Sequence, residues 1–245
     1  MNDKLQQIDT LLGELNQYRA NENYRITEAL EIEYTYDSNR IEGNTLTLHE
    51  TDMVVNKGIT IAGKGLKEHL EAINHKEAID FIKDVAQKKE PISERVLLDI
   101  HAIVLHSIDK DNAGKCRRVP VIISGSKHIP PQPYLLQPKM DELFQWYEAN
   151  KDSMHPVVLA AQMHEKLVSV HPFIDGNGRT ARLVMNLILM QHGYPIANIK
   201  GDNETRRRYY ETLEEASSGD NSAFLEFIED VVIQSLTYYL KIIRG

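Results

Sequence analysis

The sequence predicts an all-α protein that carries one short β-hairpin. Two observations predict the helices: apolar residues recur every three to four positions in nine segments, and capping or breaking residues stand between those segments. A third predicts the hairpin, a stretch whose β-branched residues run into Ser-Gly-Ser and then a proline cluster. The first helix covers about 5–19 and lines up Leu5, Ile8, Leu11, Leu12 and Leu15 on one face. The second spans about 24–41 and is stopped by Gly43. Next come 66–86 and 93–105, the latter opened by Ser93 and Glu94 after Pro91. Between 117 and 133, RRVPVIISGSKHIPPQP places Val119, Val121, Ile122 and Ile123 ahead of the turn, which suggests a hairpin projecting from the helices. Helical spacing then returns over 137–149, over 157–170 with Pro156 in the favoured first-turn position, and over 178–191, 205–216 and 222–242. With no repeat, low-complexity tract or flexible linker, a single all-α domain with a closely packed N-terminal helical extension is the economical organisation.

Composition bounds the function. The 245 residues are 42% hydrophobic and 26% charged, as in an ordinary globular protein, so disordered and fibrous classes fall away. Lys and Arg number 28 against 36 Asp and Glu, a net charge of −8, which makes nucleic acid or an anionic membrane an unexpected partner. No window approaches 18 apolar residues, and MNDKLQQIDT lacks the basic start and apolar run of a signal peptide, so a cytoplasmic location is expected. Cys116 cannot form an internal disulfide. Lys115, Arg117 and Arg118 beside it could lower its pKa, although a bystander thiol is the simpler reading.

Two segments carry phosphate signals. Residues 58–64, GITIAGK, match part of a nucleotide P-loop, but Gly65 stands where Ser or Thr should and HETDMVVNKG is a poor central strand, so a glycine-rich turn between helices is the better reading. The second signal is denser. After an apolar helix come His171, Pro172, Phe173, Ile174, Asp175, Gly176, Asn177, Gly178, Arg179, Thr180, Ala181 and Arg182, and then LVMNLILM. Gly176 and Gly178 let successive N–H groups turn inward beside a helix N-terminus, which makes an anion hole. Arg179 and Arg182, three apart, can grip two further phosphates from one side. Asp175 could hold a Mg²⁺ shared with phosphate oxygens, and His171 can take a proton near neutral pH. Base, carboxylate, nest and paired arginines together suit a polyphosphate and its transfer.

HPFIDGNGRTAR resembles, without a mismatch, the Fic signature His-Pro-Phe-x-(Asp/Glu)-Gly-Asn-Gly-Arg-x-x-Arg, and the resemblance covers roughly residues 30–230. It implies an all-helical Fic bundle with a hairpin flap, an N-terminal region over 1–65 and a core over 66–245. It also implies transfer of AMP from ATP to a Ser, Thr or Tyr hydroxyl of a target protein or of the chain itself. In that reading His171 is the base, Asp175 holds Mg²⁺, and Gly176, Asn177 and Gly178 form the anion hole within the nucleotide loop that runs on through Thr180 and Ala181. Arg179 would contact the β-phosphate and Arg182 the γ-phosphate, while Phe173 faces the core. Gly125, Ser126, Lys127 and His128 correspond to the flap that pins the target segment, and Tyr209 and Tyr210 to a pair that meets the adenosine. Ser217 stands where metazoan members of the family have Asn at another adenosine contact, and Gly178 replaces the Lys of the family's kinases, such as the Doc toxins.

Ser38, Asn39, Arg40, Ile41, Glu42 and Gly43 resemble the inhibitory motif of Fic proteins that carry their brake at the N-terminus, on a helix at about 24–43. Ser38 and Glu42 share a helix face, and a Glu42 carboxylate on Arg182 would occupy the fork the γ-phosphate needs. In the metazoan branch the same glutamate also positions water to remove AMP, so de-AMPylation, or transfer of another phosphate-containing group, is the alternative activity. Elsewhere, His101, His106, His155 and His164 lack zinc spacing, and Arg206, Arg207 and Arg208 point to different sides of a helix. The C-terminal apolar run reads as a core helix whose tyrosines could equally serve a homodimer face.

Overall fold

The computed structural model describes residues 3–244. Its α-helices are α1 (Asp3–Tyr18), α2 (Tyr24–Ile41), α3 (Leu48–Lys57), α4 (Leu66–Gln87) and α5 (Glu94–Leu105), followed by α6 (Leu136–Asn150), α7 (Pro156–Val170), α8 (Asn177–Gln191), α9 (Asn203–Ser217) and α10 (Ser222–Arg244). Polar caps set many of the starts: Asn23 accepts from the N–H groups of Arg25 and Ile26, Ser93 from Val96, and Asp202 from Glu204 and Thr205.

The helix with the most buried face is α8, where every residue from Arg179 to Leu189 is buried. Such a helix must be covered all round. Its covers are α7, α4 and α5, with α2 touching it near its N-terminal arginines, while α6, α9 and α10 pack on the far side of α7 and α1 lies along α10. One hydrophobic cluster runs through these layers, from Ile8 of α1 and Tyr34 of α2 through Ile100, Leu159 and Leu187 to Phe227 of α10. A separate small cluster of Leu46, Val54 and Ala72 seats α3. Among the described residues, no helix is long and apolar enough to cross a membrane.

One helix goes unannounced by periodicity and one expectation fails here. The HETDMVVNKG region is a helix, α3, opened by a capping box in which Thr47 and Glu50 satisfy each other's backbone N–H groups. Its apolar residues are too few to show a period, and only the Thr-x-x-Glu signature announced it. Gly58, at φ 63°, ends it, and the GITIAGK stretch is indeed a turn between helices, with Lys64 donating to the Thr45 carbonyl and hydroxyl. Secondly, 117–133 is no hairpin: among the described residues there is no strand. Pro120, Pro130, Pro131 and Pro133 supply no N–H to a ladder, and the segment's one internal backbone bond is Ser126 N–H to Ile123 O, at 3.1 Å across the Gly125 turn. Val119, Ile122 and Ile129 face outward, with Ile122 90% exposed, while Val121 and Ile123 are half-buried.

The remaining expectations resolve simply. His101 and His164 are fully buried core residues, and His155 caps α7. Arg207 and Arg208 pair with Glu211 and Asp230 at the surface. Burial pushes the Cys116 thiol up, against the lowering its cationic neighbours suggested.

Candidate active site

Helix α7 stops at Val170 because Pro172 follows, and His171 turns the chain in the left-handed conformation, at φ 49° and ψ 58°. Its N–H still reaches Leu167 O at 3.0 Å, and its carbonyl accepts from Arg117 Nε at 2.9 Å. The loop behind it is pinned from within. Phe173 is fully buried and stacked on His101, with ring centroids 3.6 Å apart. Asn177 Oδ1 accepts from Phe173 N–H at 3.0 Å while its Nδ2 donates to Phe173 O at 2.9 Å. His101 Nε2 donates to Asp175 O at 3.0 Å, and Gly176 adopts φ 80° against the His101 ring. So held, the N–H groups of Asn177 and Gly178 open α8 where a helix has no internal partners to offer them.

The His171 imidazole is pushed down to about 4, first by burial and further by the Arg117 charge. It is therefore neutral near pH 7. A neutral imidazole is the form that accepts a proton.

Two buried arginines face this helix start. Arg179 is 2% exposed and donates through Nη2 to Asp175 Oδ1 at 3.2 Å, with Glu71 Oε1 of α4 at 3.4 Å from Nη1. Its Nε has no hydrogen-bond partner, and Nη1 has only the Glu71 ion pair. A buried donor left open in this way marks a place for an anion. Asp175 also accepts from Gly176 N–H at 2.6 Å, and Lys67 lies 3.4 Å from its other oxygen. Burial would raise this carboxyl, but the Arg179 charge, the Gly176 N–H and Lys67 together outweigh it and keep the group below its ordinary range.

Arg182 is 1% exposed and fully engaged. It donates to Ser38 Oγ at 3.0 Å, to Ser38 O at 2.9 Å, to Tyr209 OH at 3.3 Å and to Glu42 Oε1 at 2.7 Å. Burial disfavours its charge, and the Glu42 carboxylate, with Tyr209 and Tyr34, more than offsets this. Glu42 stands at the C-cap of α2, just before Gly43 with φ 97°, and a side chain on Gly178 would run into its carboxylate. The Glu42 carboxylate thus lies over the first turn of α8.

Other expected site residues are spread more widely. Thr180 and Ala181 turn into the core, and the Thr180 N–H is used by Gly176 O. Tyr209 is buried behind Arg182 and bonded to His164, whereas Tyr210 is 43% exposed and donates to Ile41 O. Ser217 bonds back to Glu214 O. Around the Gly125 turn, Ser126 Oγ and Lys127 N–H both donate to Glu214, and His128 Nε2 donates to Ser169 O at 2.8 Å. Sequence reasoning missed Lys67, Glu71, His101, Arg117 as a fork, and Glu214. Each makes at least one of these contacts across 54 residues or more, a separation that leaves no local signal.

Comparison with known proteins now places the chain. Its structure superposes on Fic-1 from C. elegans with a TM-score of 0.86 and 32% identity, covering 97% of this chain and 71% of that one. This chain belongs to the Fic/DOC family. The family's sequence model matches residues 91–189. A second Fic structure, a signalling protein from Bacteroides thetaiotaomicron, gives a TM-score of 0.88 at 28% identity over 99% of this chain and 97% of that one. Among curated relatives, the protein adenylyltransferase Fic of Culex quinquefasciatus is 39% identical over 85% of this chain and 41% of its own length. That of Nematostella vectensis is 38% identical over 85% and 48%. The chain therefore spans less than half the length of these relatives. The all-helical Fic fold is the one described above, with the flap as an irregular loop.

Proposed function

We propose that this Fic protein transfers AMP from ATP to a hydroxyl side chain of a target protein, or of itself, under restraint by Glu42. The carrying observation is the contest at one arginine: Arg182, 1% exposed at the head of α8, is held by Glu42 at 2.7 Å. Arg179 nearby, its Nε without a partner, supplies a second phosphate grip, and the relatives named protein adenylyltransferase support the reaction class.

In the transfer, neutral His171 takes the acceptor's hydroxyl proton as oxygen attacks the α-phosphorus. A phosphorus–oxygen bond forms to the acceptor, and pyrophosphate leaves with the electrons of the broken one. Arg179 and the α8 N-terminus hold the phosphates, and Arg182 takes the γ-phosphate once Glu42 yields it. Asp175 fits Mg²⁺: its side chain is 45% exposed, it remains ionised, and it adjoins Arg179. Bound there, Mg²⁺ supplies charge neutralisation on the phosphate oxygens. While Glu42 keeps the fork, ATP can seat only with its tail misplaced. Residues 1–65 then act as a regulatory region on the core at 66–245.

The test is to incubate Glu42→Gly with labelled ATP and Mg²⁺. Covalent AMP on the chain or on a lysate protein, abolished by His171→Ala, supports the proposal; no label under any condition contradicts it. A second reading, removal of AMP, is favoured by the Glu42 carboxylate standing against Gly178 at the head of α8. Intact mass of an AMP-modified substrate, falling with native chain and unchanged with Glu42→Gly, would identify that activity.

A further inference from the structure

The flap segment 118–131 has no strand pairing to hold it, yet it stands in a defined place beside the catalytic loop. Three prolines at 120, 130 and 131 and largely outward β-branched residues leave it with a single internal backbone bond. Two side chains from outside the segment take over the work of a ladder.

At the root is Arg117, 3% exposed. Its Nη1 donates to Val119 O at 3.0 Å on the outgoing arm and its Nη2 to Pro131 O at 2.6 Å on the returning arm. Its Nε donates to His171 O at 2.9 Å, and its own N–H to Pro172 O at 2.8 Å. One planar fork thus closes the flap and ties it to the backbone of the catalytic histidine, which sits in a left-handed conformation that a side chain disfavours. Among the described residues Arg117 makes no ion pair. A buried cation resting on carbonyl oxygens alone is a costly way to fill space, and its fork is what an apolar residue could not replace.

At the tip is Glu214 of α9. One carboxylate oxygen accepts from Lys127 N–H at 2.8 Å and the other from Ser126 Oγ. Ser126 Oγ in turn accepts from His128 N–H at 3.0 Å, and His128 reaches Ser169 O next to the end of α7. The Ser126 hydrogen bond, with that from Lys127 N–H, holds the Glu214 carboxyl below its ordinary range, so it stays ionised and able to accept both. Between the two clamps, Ile122 and Ile129 are held out, 90% and 79% exposed, where an extended acceptor segment can meet them.

We infer that Arg117 and Glu214 are positioning residues for the transfer: by gripping the root and the tip of 118–131 they set the flap, and so the acceptor hydroxyl, against His171. This rests on the proposed AMP transfer. Neither residue touches the arginines that face the phosphates, so removing either should slow the reaction while sparing nucleotide binding.

The experiment uses the full chain carrying Glu42→Gly, self-labelling from ATP and Mg²⁺ as the probe, and ATP affinity by calorimetry beside it. Arg117→Met and Glu214→Leu should each cut the maximal labelling rate tenfold or more with the ATP Kd within twofold. Arg117→Lys should fall between. Added methylguanidinium should restore Arg117→Ala severalfold and leave His171→Ala inactive, a rescue that general loosening would not produce. Labelling at the parent rate in both variants, or a loss of ATP affinity in step with rate, overturns the inference. Should Arg117→Met misfold, Glu214→Leu at the half-exposed tip still decides. Hydrogen exchange over 118–131 gives a readout independent of activity: it should quicken tenfold in either variant of the native chain, and an unchanged rate overturns the clamp. A parent that never labels contradicts the transfer itself, and exchange then tests the clamp alone.

Discussion

At the scale of single residues, the central fact is that Arg182 already has an anionic partner before any nucleotide arrives. Its charge is buried with Ser38, Tyr209 and Glu42 around it. Removing Glu42 should therefore have two effects of opposite kind. Glu42→Ala leaves a buried guanidinium short of its carboxylate, a loss of about 1–3 kcal/mol that thermal unfolding will register. The same change should let ATP with Mg²⁺ stabilise the variant by about 2.7 kcal/mol at a hundred times its Kd, and the native chain by much less. Equal stabilisation of both would contradict a contest at Arg182. The residues of this contest were legible because they lie in two short runs, Ser38 to Gly43 and His171 to Arg182. Their supports were not, since Glu71, Arg117 and Glu214 reach the site only through the folded chain.

Among elements, α2 is the one whose position decides the state of the site, and it is latched as well as packed. Asp37, buried one residue before Ser38, accepts from Gly201 N–H at 2.9 Å and Asn198 Nδ2 at 2.7 Å, with Lys200 at 3.2 Å. Asp37→Ala should strand these donors, loosen α2 against the loop after α8, and raise self-labelling above the native chain, though less than Glu42→Gly does. Labelling indistinguishable from native would place the restraint in Glu42 alone. The α3 helix is a control at the same scale. Thr47→Ala removes its capping box and should lower stability by about 1 kcal/mol without altering ATP affinity, as urea unfolding and calorimetry will show. Helices with a long apolar period were readable from spacing alone. A ten-residue helix with few apolar positions was not, and the flap was misread because β-branched residues predict a strand only where a partner offers hydrogen bonds.

For the whole molecule, burial imposes a pH dependence separate from catalysis. His75, His101 and His164 are 0–1% exposed, and burial pushes all three down, His101 to about 4 and His164 to about 3. The unfolded chain would protonate them near 6.5 while the folded chain would not. Their contribution is thus complete above about pH 6.5 and is lost as pH falls from there toward 4. Each histidine then removes up to about 1.4 kcal/mol per pH unit. Urea midpoints should accordingly fall steeply between pH 6.5 and 5 and stay level between 7 and 8; a flat profile across 5–7 would contradict neutral buried imidazoles. The helical bundle that buries them was legible as a class from periodicity. Which histidines it would bury was not, because a histidine on an apolar face reads the same whether it packs or binds.

All three scales meet in the claim that the triphosphate binds at the head of α8 and that Glu42 competes for its far end. The direct measurement is a crystal structure of the Glu42→Gly chain with ATP and Mg²⁺. The account predicts the β-phosphate on Arg179, the γ-phosphate on Arg182 and the α-phosphorus open toward His171. A nucleotide bound away from the α8 N-terminus, or one whose γ-phosphate avoids Arg182 with Glu42 gone, would contradict it.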